Sequence, residues 1–176
     1  MNKFLDRIYR AAKLDANLYE EVEADKTAMR DAISVVILSG LAAGIGTVGT
    51  MGMQGILVGT VAALAGWFIW AYLTYFIGTR LLPEPQTRSD PSEMLRTIGF
   101  ASSPGLIRIL AVIPGAASII LFAAAIWSLA AMVIAVRQAL DYRSTMRAIG
   151  VCAIGWVIQI VIIGVIFYIS GGAASS

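Results

Sequence analysis

The chain has 176 residues, 59% hydrophobic and 14% charged, with a mean hydropathy of +0.81. A soluble domain is roughly 45–50% apolar and about 25% charged, so this composition fits a chain that uses lipid as its solvent. There is no histidine and a single cysteine, Cys152. That excludes histidine-based metal sites and Ser–His–Asp triads, an intramolecular disulfide and cysteine-rich metal clusters. No cofactor is expected, and a net charge of +2 gives no reason to expect a nucleic acid partner.

In chain order, residues 1–31 read as a cytoplasmic arm in two pieces. Residues 1–13 place Phe4, Leu5, Ile8 and Ala12 at helical spacing among Lys3, Arg7, Arg10 and Lys13. A short cationic amphipathic helix of this kind lies in the headgroup layer, so these four bases are the candidate membrane-surface contacts. Residues 15–25 carry Asp15, Glu20, Glu21, Glu23 and Asp25 and no base. This acidic piece is expected to stand away from an anionic surface or rest on the chain's own basic loops. Asp25 is placed as the N-cap of the first span. With charge spread through it and no apolar run before Ala32, the arm does not read as a secretory signal.

Residues 32–170 then read as an all-α, polytopic membrane bundle of five transmembrane helices, with 171–176 as a short non-cytoplasmic tail. The spans are expected at about 32–49, 56–78, 95–113, 116–136 and 149–170. The link 79–94 carries Pro83, Pro85 and Pro91 and is expected to be non-helical. The third span is the least apolar. It holds Arg96, Arg108 and Pro104, and is expected to break near Ser102–Gly105, where Pro104 removes a backbone donor. Ser102 and Ser103 can satisfy the carbonyls that the break frees.

The basic residues set the orientation. Six precede the first span. Arg80, Arg88 and Arg96 flank the second link, and Arg137, Arg143 and Arg147 flank the fourth. Bases are retained on the cytoplasmic side, so the N-terminus is expected inside and the C-terminus outside, in a bacterial cytoplasmic membrane. The exception is Arg108. On a straight helix it lies about 18 Å beyond Arg96, near the far boundary, and no carboxylate lies in any span. The expectation is that it snorkels outward or caps carbonyls. The alternative is a lipid or anion contact in a cavity together with Ser102, Ser103 and Pro104.

Close helix packing is expected at Gly40 and Gly44 in the first span and at Gly55 and Gly59 in the second, which share the small-xxx-small pattern. Intramolecular contact explains most of this; a surface for another membrane protein, or for a second copy, is the remainder. Trp67, Trp70 and Thr74 share one face and read as packing. Tyr72, Tyr75 and Trp156 read as anchors at the cytoplasmic boundary. Gln159 is expected to bond a neighbouring helix, and Cys152 to be a small buried residue.

Three stretches in order, Leu18-Tyr19-Glu20-Glu21-Val22-Glu23-Ala24-Asp25, Arg96-Thr97-Ile98-Gly99-Phe100-Ala101-Ser102-Ser103-Pro104-Gly105 and Val136-Arg137-Gln138-Ala139-Leu140-Asp141-Tyr142, resemble the Yip family. These are multispanning proteins named for interaction with Ypt/Rab GTPases, and this chain looks closest to short bacterial members. The resemblance implies a cytoplasmic arm followed by five spans, and for eukaryotic members a link to vesicle traffic and membrane organisation. Asn17-Leu18-Tyr19-Glu20-Glu21 stands where that arm has Asp-Leu-Tyr-Gly-Pro, so GTPase binding is not carried over. The sequence is therefore read as a non-enzymatic membrane scaffold or adaptor, or an accessory subunit of a larger membrane complex. The alternative is a small transporter or lipid-handling protein with its site around Arg108 and the Pro104 break.

Overall fold

A computed structural model describes residues 2–173, with the side chains of all but residues 50, 51, 163, 164 and 166–173. The described chain is helical and contains no strand. The arm forms α1 (Lys3–Ala12) and α2 (Ala16–Ala24). The bundle follows with α3 (Ala28–Gly46), a short α4 (Val48–Met51), α5 (Gln54–Phe76), α6 (Pro91–Ala101), α7 (Ala117–Ala139) and α8 (Thr145–Ala173). A π turn (Ile77–Leu81) extends α5, and a 3-10 helix (Ser103–Val112) continues α6. Five stretches are long and apolar enough to cross a membrane: Ala28–Gly46, Gln54–Leu81, Pro91–Val112, Ala117–Ala139 and Thr145–Ile162. Residues 174–176 of the expected tail lie outside the described residues.

The third span breaks where Pro104 predicts. α6 is opened by Asp90, whose side chain accepts from the Glu93 amide while Glu93 reaches back to the Asp90 amide, with Pro91 at the first helical position. It closes at Ala101. Proline at 104 has no N–H and crowds the carbonyl four residues back, so the chain tightens to 3-10 instead of continuing as α. The Ser102 hydroxyl donates to the Ile98 carbonyl at 3.4 Å. Ser103, expected to share that work, is 2% exposed and its Oγ has no partner.

α6 is the central helix. Met94 to Ala101 are all buried, with α3, α5, α7 and α2 packed around them. One core cluster joins Trp70, Ile77, Met94, Ile98, Val136 and Val151 across α5 to α8. The other joins the arm to the bundle: Ala11, Leu18, Tyr19 and Val22 pack with Val35 of α3, Phe100 of α6, and Ala131 and Ala135 of α7. Arg96 donates from Nε to the Val22 carbonyl at 3.0 Å and from its fork to the Glu23 carbonyl, which satisfies carbonyls at the end of α2. The arm is thus a helical hairpin built into the wall of the bundle.

Asp25 stands two residues ahead of the α3 boundary. It ends α2, and Thr27 caps α3 without a side-chain capping bond. The Asp25 carboxylate instead accepts from the Thr27 amide at 3.0 Å and the Thr27 hydroxyl at 2.6 Å. A bond to the amide two residues on is the kind an N-cap makes, and the Ala28 amide donates to the Asp25 carbonyl at 2.9 Å, so Asp25 closes the turn that leads into α3.

Candidate functional site

Arg108 sits on the 3-10 helix, whose geometry decides where it points. Residues three apart in a 3-10 helix eclipse one another, so Arg108 stands over Gly105. A Cβ built on Gly46 would collide with the Arg108 carbonyl oxygen, so the Arg108 backbone is level with the far end of α3. Its side chain nevertheless turns back toward the middle of the bundle. A Cβ on Gly105 would lie 3.6 Å from Arg108 Nη1 and collide with Ser39 Oγ. The missing side chain at 105 is the space in which the guanidinium and the Ser39 hydroxyl approach each other. The outward snorkelling expected from sequence is therefore not what the structure shows. Pro104 and Gly105 change the helix type and clear an inward path.

The guanidinium lines a cavity of about 480 Å³ bounded by all five spans. Val36 and Ser39 come from α3; Ala63, Gly66, Trp67 and Trp70 from α5; Ile98, Ser102 and Arg108 from the third span; Ser128, Leu129 and Met132 from α7; and Trp156 and Gln159 from α8. No acidic residue lines it. Arg108 makes no hydrogen bond or ion pair with the described residues. Ser39 is 6% exposed and also unbonded among them, and Ser128 Oγ is fully buried without a partner. The two central tryptophans have used their polar atoms. Trp67 Nε1 donates to the Leu95 carbonyl at 2.9 Å, and Trp70 Nε1 to Met132 Sδ at 3.2 Å. They present ring surface to the cavity. Gln159 and Trp156 are exposed as well as lining it, so the cavity opens to the surface beside α8.

Of the residues singled out by sequence, Arg108 and Ser102 line the cavity. Ser103 and Pro104 are buried beside it, at 2% exposure for Ser103 and within the buried start of the 3-10 helix for Pro104. Gln159 makes no bond to a neighbouring helix among the described residues; it faces the cavity. Trp156 lines the cavity about three turns into α8. Ser39 and Ser128 were not foreseen. The only sequence signal for either is a hydroxyl in an otherwise apolar helix, which is common in membrane spans.

Gly40 and Gly44 face α5. A Cβ on Gly44 would lie 2.5 Å from Ile56 Cα and 3.1 Å from the Gly55 carbonyl, and one on Gly40 would lie 2.9 Å from Thr60 Cα. Gly59 has ordinary clearance, 3.8 Å or more.

The arm bases divide. Arg7 is 1% exposed and bonds Glu21 at 2.9 Å, Asp25 at 2.6 Å and Asp31 at 3.3 Å. Arg10 bonds Asp15 at 2.8 Å and Glu21 at 2.6 Å. Lys3 reaches Asp25 at 3.2 Å and stays exposed; Lys13 lies 4.4 Å over the Tyr9 ring. Only Lys3 and Lys13 remain on the outward face, beside the exposed Leu5 and Tyr9. The hydrogen bonds from Arg10 and Arg7 hold the Glu21 carboxyl below its usual range, and Thr27 and Arg7 do so for Asp25. The acidic piece therefore rests on the basic piece next to it in sequence, rather than on the distant loops.

No curated protein and no solved structure matches the chain. The Yip1 domain family model matches residues 19–166, from the middle of α2 to far into α8. A chain matched over that range, with five spans behind a docked helical arm, belongs to the Yip1 domain family of multi-pass integral membrane proteins.

Proposed function

We propose that this protein is a non-enzymatic, lipid-handling membrane protein that holds an amphiphile in the cavity between its spans. The observation that carries this reading is Arg108. Charged groups inside a bilayer face the bundle interior or a cavity and pair there, because an isolated charge costs roughly 2.5–3.5 kcal/mol or more at the bilayer centre. Arg108 turns inward, away from the nearer boundary, into a cavity where nothing described pairs with it. An amphiphile head group supplies the missing acceptor, and the ring surfaces of Trp67 and Trp70 suit its chain. The cavity volume of about 480 Å³ falls in the usual range for ligand sites, roughly 300–1,000 Å³.

A scaffold or accessory subunit is the second reading. It is favoured by α5, which leaves Leu57, Val58, Val61, Phe68 and Ile69 exposed along its length, a face that another membrane protein can cover. The glycine pattern lends it less support, because Gly40 and Gly44 are taken up against α5 of the same chain. On either reading we propose a bacterial cytoplasmic membrane with the arm inside, a reading supported by the bases that flank the arm-side loops.

Extraction in mild detergent followed by native mass spectrometry tests the choice. The expected result is one lipid-sized mass retained by the wild type and lost in Arg108→Leu. A stoichiometric protein partner with no bound lipid, and an Arg108→Leu variant as stable as the wild type, would favour the scaffold.

A further inference from the structure

The cavity specifies the kind of amphiphile. This inference rests on the lipid-handling reading. We propose that the ligand is a single-chain amphiphile with one anionic head group, a carboxylate or a phosphate. Its head lies between Arg108 and Ser39, and its chain lies against Trp67, Trp70 and Trp156.

Three features of the lining carry this. The first is charge. Arg108 is a fixed cation, and no acidic residue lines the cavity with it. A neutral head leaves the guanidinium without a counter-charge. A zwitterionic head meets Arg108 with its anion, but its cation finds no acid in the lining. A head that carries only negative charge balances the site.

The second is donor geometry. The guanidinium offers a planar fork that matches two oxygens of a carboxylate or phosphate. The Ser39 hydroxyl stands on the other side of the gap above Gly105, buried and unbonded. Ser128 Oγ, on the α7 wall, is a further hydroxyl without a partner. With the Gln159 amide at the opening, these are polar groups of the lining that the chain has not used. The indole N–H groups of Trp67 and Trp70 are occupied by Leu95 and Met132, so these rings select for hydrocarbon and not for a polar chain.

The third is size. About 480 Å³ accommodates an anionic head with much of one alkyl chain, and is too small for a phospholipid with two. The exposed Trp156 and Gln159 mark the side where the end of a chain passes out beside α8.

Tryptophan fluorescence of the full-length protein in detergent reads this directly. Three of the four tryptophans, Trp67, Trp70 and Trp156, line the cavity, and Trp127 does not. The probe is brominated stearate, which quenches indoles that it touches. Saturable quenching is expected. Unlabelled stearate and a monoacylglycerol phosphate should reverse it, and a neutral monoacylglycerol and a two-chain phosphatidate should not. Arg108→Gln should weaken binding about tenfold or more, the loss of a charge-assisted pair, and Arg108→Lys should recover part of it. Gly66→Leu provides an independent block, since a Cβ there meets nothing within 4 Å and a longer side chain enters the open space. It should fold normally and lose saturable quenching. Equal displacement by the neutral monoacylglycerol would overturn the anionic assignment, and equal displacement by phosphatidate the single-chain one; in both cases lipid handling would stand. Quenching that never saturates, or that Gly66→Leu leaves unchanged, would remove the lipid-handling reading together with this one.

Discussion

Arg7 and Glu23 show how differently two charges of one hairpin are treated. Arg7 is enclosed, but three carboxylates meet its fork. Each of those keeps a fifth to a third or more of its side chain open to water, so the network holds charge without stranding any. Glu23 has no such partner. It faces Glu93, Asp141 and Glu20, and Arg96 spends its hydrogen bonds on backbone carbonyls. Burial, then Glu93 and Asp141, push its carboxyl up to about 8. Folding therefore raises its proton affinity. The folded chain keeps a proton that the unfolded chain releases between the ordinary carboxylate range and about 8, so stability falls as pH rises through that window. Asp15, Glu21 and Asp25 are shifted the other way; their contribution is present above the ordinary carboxylate range and fades only in acid. With no histidine in the chain, and below the ordinary range of a thiol, the interval from about pH 6 to about pH 8 isolates Glu23 apart from the chain's α-amino group. The wild type should lose thermal stability across that interval, and Glu23→Gln should lose clearly less. Melting curves in detergent with equal slopes for the two proteins would show that Glu23 is already ionised when folded.

At the scale of elements, the α3–α5 contact separates glycines that the sequence pattern treats alike. Gly44 meets backbone, which cannot swing aside, whereas Gly59 has room. Gly44→Ala should destabilise by about 1–3 kcal/mol, the usual cost of overpacking. Gly59→Ala should be neutral or gain up to about 1 kcal/mol, because alanine is the better helix former. Equal effects in thermal unfolding would mean that the two helices are not in this register. The five spans and the break at Pro104 were legible because each depends on a local property, an apolar run of lipid length or a missing N–H. The direction of Arg108 was not legible. It depends on the helix becoming 3-10, so that residue 108 eclipses residue 105, and on Ser39, which is distant in sequence. The arm hairpin was hidden for another reason. It turns at Leu14, which has a φ of 62°, a conformation uncommon for a residue other than glycine. Without a glycine or asparagine to signal that turn, the basic and acidic pieces read as two surfaces when they are one ion-paired hairpin.

At the scale of the molecule, the charges gather at one end of the bundle. The loop between α5 and α6 and the loop between α7 and α8 are clamped together there. Arg147 reaches the Pro83 carbonyl at 2.8 Å and Glu84 at 3.4 Å, and the Arg143 amide donates to Glu84 at 3.1 Å. Gln138 of α7 donates to Glu20 of the arm at 2.7 Å, tying the hairpin to the same end. The opposite end has no lysine or arginine in its links. Retention of bases in the cytoplasm then predicts the orientation of the whole bundle. The chain is suited to a direct test, because its one native thiol, Cys152, is 3% exposed and should stay silent. Met53, between α4 and α5, is 75% exposed at the end without bases; Arg88, in the loop between α5 and α6, is exposed at the other. A membrane-impermeant maleimide should label Met53→Cys on intact cells and Arg88→Cys only after the membrane is opened. Labelling in the reverse order would invert the bundle. Labelling of both positions from outside would place the two loops on one face of the membrane, so that α5 could not cross it.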